Sequence, residues 1–443
     1  MFKFAYLLLL AVCLVSGSTA PATRSVSNVS GAGAAYFIID DPAEKVVSLN
    51  IASDGRLGPF ARVVDAGGIG MRATHITPPG KPAALFSPGP DPLFTQGAVR
   101  VNQNAGILVT VNPGSNTIAL FRIDRQDPTK LTSIGKAVNS GGEFPVSATI
   151  NSKGTVACVL NGGAVNGVNC FDVDPVRGLA AKKNTQRFLN ATQTTPPTGP
   201  IGSLSTITFS PDESKLLVAV KFLDENTNGF QGYVAAWNVA NDGALSKDHV
   251  KSFPEDPTRG PFTLVNIPGS NAYVAADPTI GLVTFDFGNS SSLAATGVSF
   301  EIQNQVLNCW TVYSPKSKNF YTIDPALSIV NEVHYDNKLK PTLVRQYPQL
   351  AESTTLDAEV AIVKGHAYLY VLQPNTTSIT VLDVDRPARA SHVQTFDLAP
   401  ALREAGLRSW SKQHKIGAFA STKLAHFTAD KLNFQGMATF IKS

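Results

Sequence analysis

Seven segments of the chain share one layout: an alternating run of apolar and polar residues, a turn rich in Asn, Asp, Pro or Gly, and a second alternating run. The second copy, "ILVTVNPGSNTIALFRID" (107–124), shows the layout in full. A period of two residues is typical of β-strands, and the turn residues favour a hairpin between them. The pattern therefore predicts seven antiparallel strand pairs.

The copies recur at a regular distance. A further strand-like run precedes each copy from the second onward, and another short run follows it, which gives four strands per unit. The residues that close the first paired strand of copies two to seven lie 47 to 60 positions apart: Asn112, Asn161, Lys221, Asp277, Asp324 and Gln373. Four strands at this period predict the blades of a β-propeller, whose strands we name a to d from the axis outward.

The first copy lacks its inner strand. Residues 34–66 supply strands b, c and d, whereas the missing strand a is matched by "LNFQGMATFI" (432–441) near the C-terminus. Such closure removes two open sheet edges. The sequence thus predicts an all-β, seven-bladed β-propeller over residues 34–443, with blade one completed by the C-terminal strand. A β-sandwich of tandem hairpins, the alternative, explains neither the sevenfold spacing nor the incomplete first copy.

Two segments do not fit the repeat. Residues 67–95 are rich in Gly and Pro and connect blades one and two, and residues 400–431 have the pattern of a short helix and a loop. We expect both to be insertions that help to shape a binding site.

The N-terminus has the pattern of a secretory signal peptide over residues 1–22: a basic residue, Lys3, then an apolar run and small residues. Residues 23–33 are expected to form a flexible segment before the propeller. The mature protein is predicted to be secreted, and either extracellular or held in a cell wall. This compartment fits four Asn-x-Ser/Thr sequons, at Asn28, Asn190, Asn289 and Asn375.

Of the four cysteines, Cys13 lies in the signal peptide. Cys158 and Cys170 flank "VLNGGAVNGVN", and a hairpin about the middle of that segment places them opposite each other. In an oxidising compartment we expect this pair to form a disulfide, with Cys309 left as a buried free thiol.

Charge and motifs exclude several classes of partner. The net charge of +4 is mild and no Lys/Arg cluster is interleaved with aromatic residues, so we predict no nucleic-acid partner. No apolar run after the signal peptide is long enough for a membrane span. The seven histidines show no metal-ligand spacing, and no phosphate loop or dinucleotide fingerprint occurs. We therefore predict that the protein uses no metal and no cofactor. We also expect a monomer.

In a propeller blade, the start of strand a and the b–c turn emerge on the same face near the axis. Charges that converge there must be paired or must meet a ligand, which makes Glu143 and Arg259 the predicted catalytic residues. The predicted substrate-binding residues are Asn112, Asn116, Lys221, Trp310, Asp357, Glu359 and, in the first insertion, His75. Asn and Asp at turn corners also commonly bind their own backbone, which is the alternative for the turn residues.

The phrases "DPLFTQGAVRV", "GEFPVSATINSKGTVACVLNGG" and "LNCWTV" resemble secreted fungal proteins called 3-carboxymuconate cyclase-like, a group that includes surface glycoprotein antigens. That group is part of the wider seven-bladed lactonase superfamily with 6-phosphogluconolactonase. The resemblance implies cofactor-independent acid/base chemistry on a small carboxylate or lactone held by Arg side chains. The intracellular enzymes of this kind carry His at inner-strand starts, whereas "GEFPVSA" and "RGPFTLV" have none, so no catalytic histidine is transferred.

Two functions follow. In the first, the protein is a lactonase or cycloisomerase in which Arg259 binds a carboxylate and Glu143 moves the proton. In the second, it is a non-catalytic surface or cell-wall glycoprotein, an antigen or adhesin that binds an extracellular glycan or protein. A channel mouth with Arg259 and Glu143 across open space favours the enzyme, whereas a mouth filled by residues 67–95 favours the binding protein.

Overall fold

A computed structural model describes residues 31–76, 90–221, 232–256, 260–289, 291–407 and 433–442. Seven antiparallel sheets, each with four strands in radial order and two with a fifth short strand beside them, form the seven-bladed β-propeller that the repeat predicts. The predicted signal peptide and residues 23–30 lie outside the described residues.

The strands occur in chain order, with strand a of blade one coming last. Blade one begins with β1 (Gly33–Ile39), β2 (Lys45–Ile51) and β3 (Leu57–Asp65), and β4 (Thr74–His75) lies in the first insertion. Blade two contains β5 (Val99–Asn102), β6 (Ile107–Asn112), β7 (Thr117–Ile123), β8 (Leu131–Ser133) and β9 (Val138–Asn139). Blade three contains β10 (Pro145–Ile150), β11 (Val156–Asn161), β12 (Gly167–Asp174), β13 (Gly178–Ala181) and β14 (Arg187–Phe188).

Past β15 (Thr198–Gly199), the remaining blades follow the same order. Blade four contains β16 (Leu204–Phe209), β17 (Lys215–Val220), β18 (Tyr233–Asn238) and β19 (Val250–Ser252). Blade five contains β20 (Val265–Asn266), β21 (Ala272–Asp277), β22 (Gly281–Asp286) and β23 (Thr296–Glu301). Blade six contains β24 (Trp310–Ser314), β25 (Asn319–Asp324), β26 (Ile329–Tyr335) and β27 (Pro341–Pro348). Blade seven contains β28 (Ala358–Val363), β29 (His366–Gln373), β30 (Ser378–Asp383) and β31 (Ser391–Asp397), and then come helix α1 (Leu398–Glu404) and β32 (Phe434–Ile441).

The C-terminal strand closes the ring as predicted. β32 pairs antiparallel with β1, from Gly33 opposite Ile441 to Ile39 opposite Phe434, with a register shift between Tyr36 and Ile38. It thereby becomes the innermost strand of blade one, and each end of the chain covers an edge that the other would expose.

The core lies between the blades. All residues of strands β1, β6 and β17 are buried, because each blade packs a neighbour against both of its faces. These strands are therefore apolar almost throughout, as strands buried on two sides usually are. The outer strands show polar alternation more clearly, as in β27, where no residue is buried.

The b–c turns of blades two and seven share one local geometry. In blade two, Pro113 begins a short 3-10 helix (Pro113–Ser115), and Asn116 ends it with φ of 56°. Asn tolerates this left-handed conformation better than most residues. Blade seven repeats the geometry with a 3-10 helix over Pro374–Thr376 and Thr377 at φ of 50°.

The predicted disulfide is confirmed. Cys158 on β11 lies directly opposite Cys170 on β12, and the two sulfur atoms are bonded. Cys309 is a buried free thiol. The disulfide is compatible with an oxidising compartment. None of the helices in the described part of the chain is long and apolar enough to span a membrane.

The two insertions are partly described. In the first, β4 pairs in parallel with β15, which lies in the connection between blades three and four. In the second, α1 is the predicted short helix, with Asp397 as its N-cap accepting from the amide of Ala399. Residues 77–89 and 408–432 lie outside the described residues.

Candidate functional site

The end of the first insertion crosses the propeller axis. Residues Leu93–Gln96, which we call the axial plug, are buried at the end where the inner strands begin. The carbonyl of Thr95 accepts hydrogen bonds from Trp310 Nε1 and from Gln435 Nε2, both at 3.0 Å. Its hydroxyl donates to the carbonyl of Ser205. The plug thus joins blades one, four and six across the axis.

Gln96 continues these contacts toward the channel. Its Nε2 donates to the carbonyl of Thr311 at 3.0 Å, and its own carbonyl accepts from Ser147 Oγ at 2.7 Å. The plug, which leads into blade two, is therefore hydrogen-bonded to blades one, three, four and six at this end of the channel. This end of the channel is filled.

Lys221 is bound to the plug rather than presented to a ligand. Its amine donates to the carbonyl of Phe94 and lies 4.1 Å from the ring centroid of Phe262. Burial lowers the pKa of Lys221 to about 8, and the nearby Asp91 opposes that shift. Burial likewise raises the pKa of Asp91 to about 7. Asp91 thus favours the charged form of the buried amine, and the hydrogen bond from that amine to Phe94 supports the plug.

Asp357 holds the closing strand. Its Oδ2 accepts from Gln435 Nε2 at 2.6 Å and from the amide of Gly436 at 2.9 Å. Burial raises the pKa of this carboxyl group to about 7. Asp357 therefore links blade seven to blade one, next to the inner face of the plug.

On the other side of the plug the channel is open. A cavity of about 300 Å³ is lined by inner strands from six blades. The polar residues of its lining are Gln96, Arg100, Thr149, Thr208, Asn266, Thr311, Tyr313 and Glu359. Inner-strand starts such as Ser205 and Thr311 are buried, whereas later positions such as Thr208, Asn266 and Tyr313 are half-exposed. The cavity therefore opens at the face of the a–b turns, with Gln96 at its closed end.

Arg100 and Glu359 are the charged residues of this lining. Among the described residues, the Arg100 guanidinium makes no hydrogen bond or ion pair. Burial lowers its pKa, while Glu359 and Asp357 oppose that change. Burial raises the pKa of Glu359 to about 7, and Arg100 opposes this shift. The cavity thus holds a cation without a bonded partner and a carboxyl group that titrates near neutral pH.

Gly97 makes the position of Arg100 possible. A Cβ atom on Gly97 would lie 2.8 Å from Arg100 Nε and 2.8 Å from Ser147 Oγ. The residue also has φ of 100°, a conformation that glycine adopts without strain. Both observations require glycine beside the guanidinium group.

Of the predicted catalytic pair, the structure places Glu143, and it lies outside this cavity. Glu143 lies near the b–c turn of blade three, where its carboxylate accepts from the hydroxyl of Thr195. It is not part of the cavity lining. Arg259 lies outside the described residues. Catalytic roles for both stay predictions.

The two predicted asparagines of blade two bind the protein itself. The buried Asn112 donates to the carbonyl of Ala66 at 3.3 Å and to Thr117 Oγ1 at 3.0 Å. Asn116 Oδ1 accepts from the amide of Phe144 at 2.8 Å. These contacts join the b–c turn to the neighbouring loop and blade, as turn residues commonly do.

Trp310 and His75 pack around the plug. Trp310 is 1% exposed, and its ring lies edge-on to Phe262 at 5.0 Å. The His75 ring lies edge-on to Phe94 at 4.7 Å, and neither of its nitrogens makes a hydrogen bond within the described structure. Burial lowers the pKa of His75 to about 4, so the ring is neutral at physiological pH. Of the predicted binding residues, Glu359 alone lines the open cavity.

The sequence pattern did not single out Arg100. The residue lies in the middle of an inner strand, "VRVN", whereas the prediction looked only at strand starts and turns. A signal was present, because alternation places Arg100 on the side of β5 opposite to the flanking valines. The packing of the blades decides which side of β5 faces the cavity, and alternation alone does not specify that packing.

The sequons differ in accessibility. Asn190 and Asn289 are exposed, and Asn375 is half-buried with its amide donating to Thr354 Oγ1 at 2.6 Å. Asn28 lies outside the described residues. Within the part of the chain that the structure covers, no group of three His, Cys, Asp or Glu side chains is placed to hold a metal ion.

No family model and no curated protein matches the sequence. Solved structures do match the fold. The periplasmic gluconolactonase of Pseudomonas aeruginosa has a TM-score of 0.56 at 13% identity, over 82% of this chain and 96% of that one. A putative 6-phosphogluconolactonase from Bacteroides uniformis has a TM-score of 0.52 at 12% identity, over 82% and 100%. A hypothetical selenium-binding protein from Sulfolobus tokodaii has a TM-score of 0.54 at 11% identity, over 82% and 91%. At these identities the likeness shows the propeller fold alone, and that fold is shared by proteins with different names.

Proposed function

We propose that the protein acts on a small carboxylate or lactone in the open axial cavity, by acid/base chemistry that needs no cofactor. One observation carries the proposal: an open polar cavity holds the unpartnered guanidinium of Arg100 and the Glu359 carboxyl group, whose pKa is about 7. The lactonase-type scaffold supports it. Identity with the 3-carboxymuconate cyclase-like group is a finer part of this proposal.

The two side chains supply complementary steps. Arg100 binds a carboxylate, or the oxygen that becomes negative when a lactone carbonyl is attacked. Glu359 in its ionised form takes a proton from the attacking water, and in its protonated form gives that proton to the leaving alkoxide of the opened ring. A pKa near 7 lets one carboxyl group serve both steps at neutral pH.

This proposal moves the chemistry from the b–c face to the opposite side of the plug. The alternative pair is Glu143, bound to Thr195, and Arg259. Both pairs contain one acid and one arginine, so turnover by matched variants separates them.

The test is turnover of a lactone panel and 3-carboxymuconate by the purified protein, followed by absorbance and by acid release. The variants are Glu359→Gln and Arg100→Gln at the cavity, with Glu143→Gln and Arg259→Ala as the matched pair. We expect losses of about a hundredfold or more at the cavity only. If the wild-type protein shows no turnover above background, the enzymatic proposal fails for these substrates. If only the Glu143 and Arg259 variants lose activity, the site lies at the b–c face.

A second function is supported by the plug itself. Because residues of the first insertion fill the b–c end, that face fits a non-catalytic extracellular glycoprotein that binds a glycan or protein there. The exposed Asn190 and Asn289 fit the same function. Expression in a secreting host, followed by glycosidase treatment and intact-mass measurement with Asn→Gln variants, tests secretion and glycan attachment. An unglycosylated protein retained in the cell would contradict this second function.

A further inference from the structure

The charge of the cavity lining is nearly balanced. Arg100 is its one cation and Glu359 its one acid among the described lining residues. The next acid, Asp357, is occupied by Gln435 and Gly436, and the next amine, Lys221, is bound to the plug on the far side. One cation is thus available to a ligand.

The balance changes when an anion enters. A single carboxylate pairs with Arg100, and the neighbouring Glu359 can then take up a proton, which leaves the cavity close to neutral. A second negative charge on the ligand meets no cation in the described lining and lies close to Glu359. Burying an unpaired charge is costly, so a dianion is disfavoured.

The size of the cavity sets the second limit. A volume of about 300 Å³ is at the small end of ligand pockets and corresponds to roughly ten water molecules. Because the plug closes one end, the described part of the chain leaves an entry for a ligand at the a–b face, and the ligand does not extend through the axis. A compact acid of about six carbons fits this space.

We infer that the axial cavity is a one-ended site for a small ligand that carries a single carboxylate, held by Arg100 and chosen over ligands with two or more negative charges. This inference rests on the proposed function for the identity of the site, but it concerns ligand binding rather than turnover. It also predicts that phosphorylated lactones and tricarboxylates, 3-carboxymuconate among them, are poor ligands, so within the turnover panel the lactones without further negative charge should react best.

The experiment uses three acids with the same six-carbon chain and different charge: gluconate, glucarate and 6-phosphogluconate. Isothermal titration calorimetry at constant ionic strength and pH 7.5 measures their affinities for the full chain. We expect gluconate to bind at least about tenfold more tightly than either of the others.

Variants at two positions locate the effect. Arg100→Gln is expected to weaken gluconate binding by about tenfold or more. Thr208→Lys places a second cation in the lining, and within the described residues the Thr208 hydroxyl donates to the neighbouring Phe209 carbonyl alone, at 3.2 Å. This variant is expected to strengthen glucarate binding by about tenfold, whereas the matched neutral variant Thr208→Gln is not. Circular dichroism and the unfolding midpoint confirm that each variant is folded.

Equal affinity for gluconate and glucarate, absence of gluconate binding, or gluconate binding that survives Arg100→Gln would each overturn the inference. Arg100-dependent gluconate binding without any lactone turnover leaves it standing and contradicts only the proposed enzymatic function. Turnover of a phosphorylated lactone that depends on Arg100 and Glu359 would support the proposed enzymatic function and contradict the inference about charge.

Discussion

The two ends of the axial channel contain similar residue types in opposite surroundings. At the plugged end, Lys221 and Asp357 are buried and hydrogen-bonded to the protein itself. At the open end, Arg100 and Glu359 line solvent-accessible space, and the guanidinium makes no bond to the described residues. Charged residues near a propeller axis are therefore not functional by position alone. The informative property is a charged group in an open cavity without a partner.

The largest expected effect is on the free energy of unfolding, which a substitution at the plugged end should lower more than one at the open end. Trp310→Ala removes a buried ring that packs on Phe262 and donates to the plug, which should lower the free energy of unfolding by about 3–5 kcal/mol. Tyr313→Ala, later on the same strand and half-exposed, should cost less than half as much. Urea unfolding followed by fluorescence measures both, and equal losses would show that the plugged end is not the more strongly packed one.

The next difference concerns function. Arg100→Gln should reduce substrate turnover about a hundredfold while leaving stability unchanged or higher, because it removes a partly desolvated cation without a bonded partner. Lys221→Met should do the reverse, because it leaves Asp91 buried without its cation while the open cavity stays intact. Turnover and urea unfolding of both variants test this. A Lys221→Met variant that is stable but inactive would place the site at the plugged end.

Gly97 lies between the plug and Arg100. Its replacement should affect both stability and ligand binding, and each less than the variants above. Gly97→Ala requires a left-handed conformation for alanine and places a Cβ against Arg100 and Ser147, at a cost of about 1–2 kcal/mol in unfolding free energy. Displacement of the guanidinium should also weaken gluconate binding. The control is Gly365→Ala, which has φ of 85° and no atom within contact distance of the added carbon. It should show the conformational cost alone, with unchanged binding.

A smaller expected effect is a change in the pH dependence of stability. The pKa of Glu359 is about 4.3 in an unfolded chain and about 7 in the folded protein, so the folded state binds this proton more tightly. Its contribution to stability is present below about pH 4.3 and is lost as the pH rises to about 7. Wild type should therefore lose more stability than Glu359→Gln between pH 4.5 and 8, by on the order of 1 kcal/mol. Parallel curves from chemical unfolding at each pH would show that Glu359 is not desolvated.

Glycan attachment tests the outer surface without touching either end. Asn190→Gln should leave unfolding and binding unchanged, because Asn190 is exposed and lies outside the cavity lining. In a secreting host it should remove one glycan mass. An unchanged mass would mean that this sequon is not used.

The sequence by itself determined the ring. Seven spaced strand pairs, an incomplete first copy and an alternating C-terminal stretch are local patterns, and local patterns specify strands, turns and closure by β32. The same kind of evidence placed Cys158 opposite Cys170, because hairpin register follows from the turn. The tertiary structure decided the site. Whether Lys221 meets a ligand or the plug, and whether Arg100 faces solvent, depends on how a Gly/Pro-rich insertion packs among inner strands from distant parts of the chain. Periodicity has no information on such contacts, because the insertion does not follow the repeat, so no spacing in the sequence shows where its residues pack.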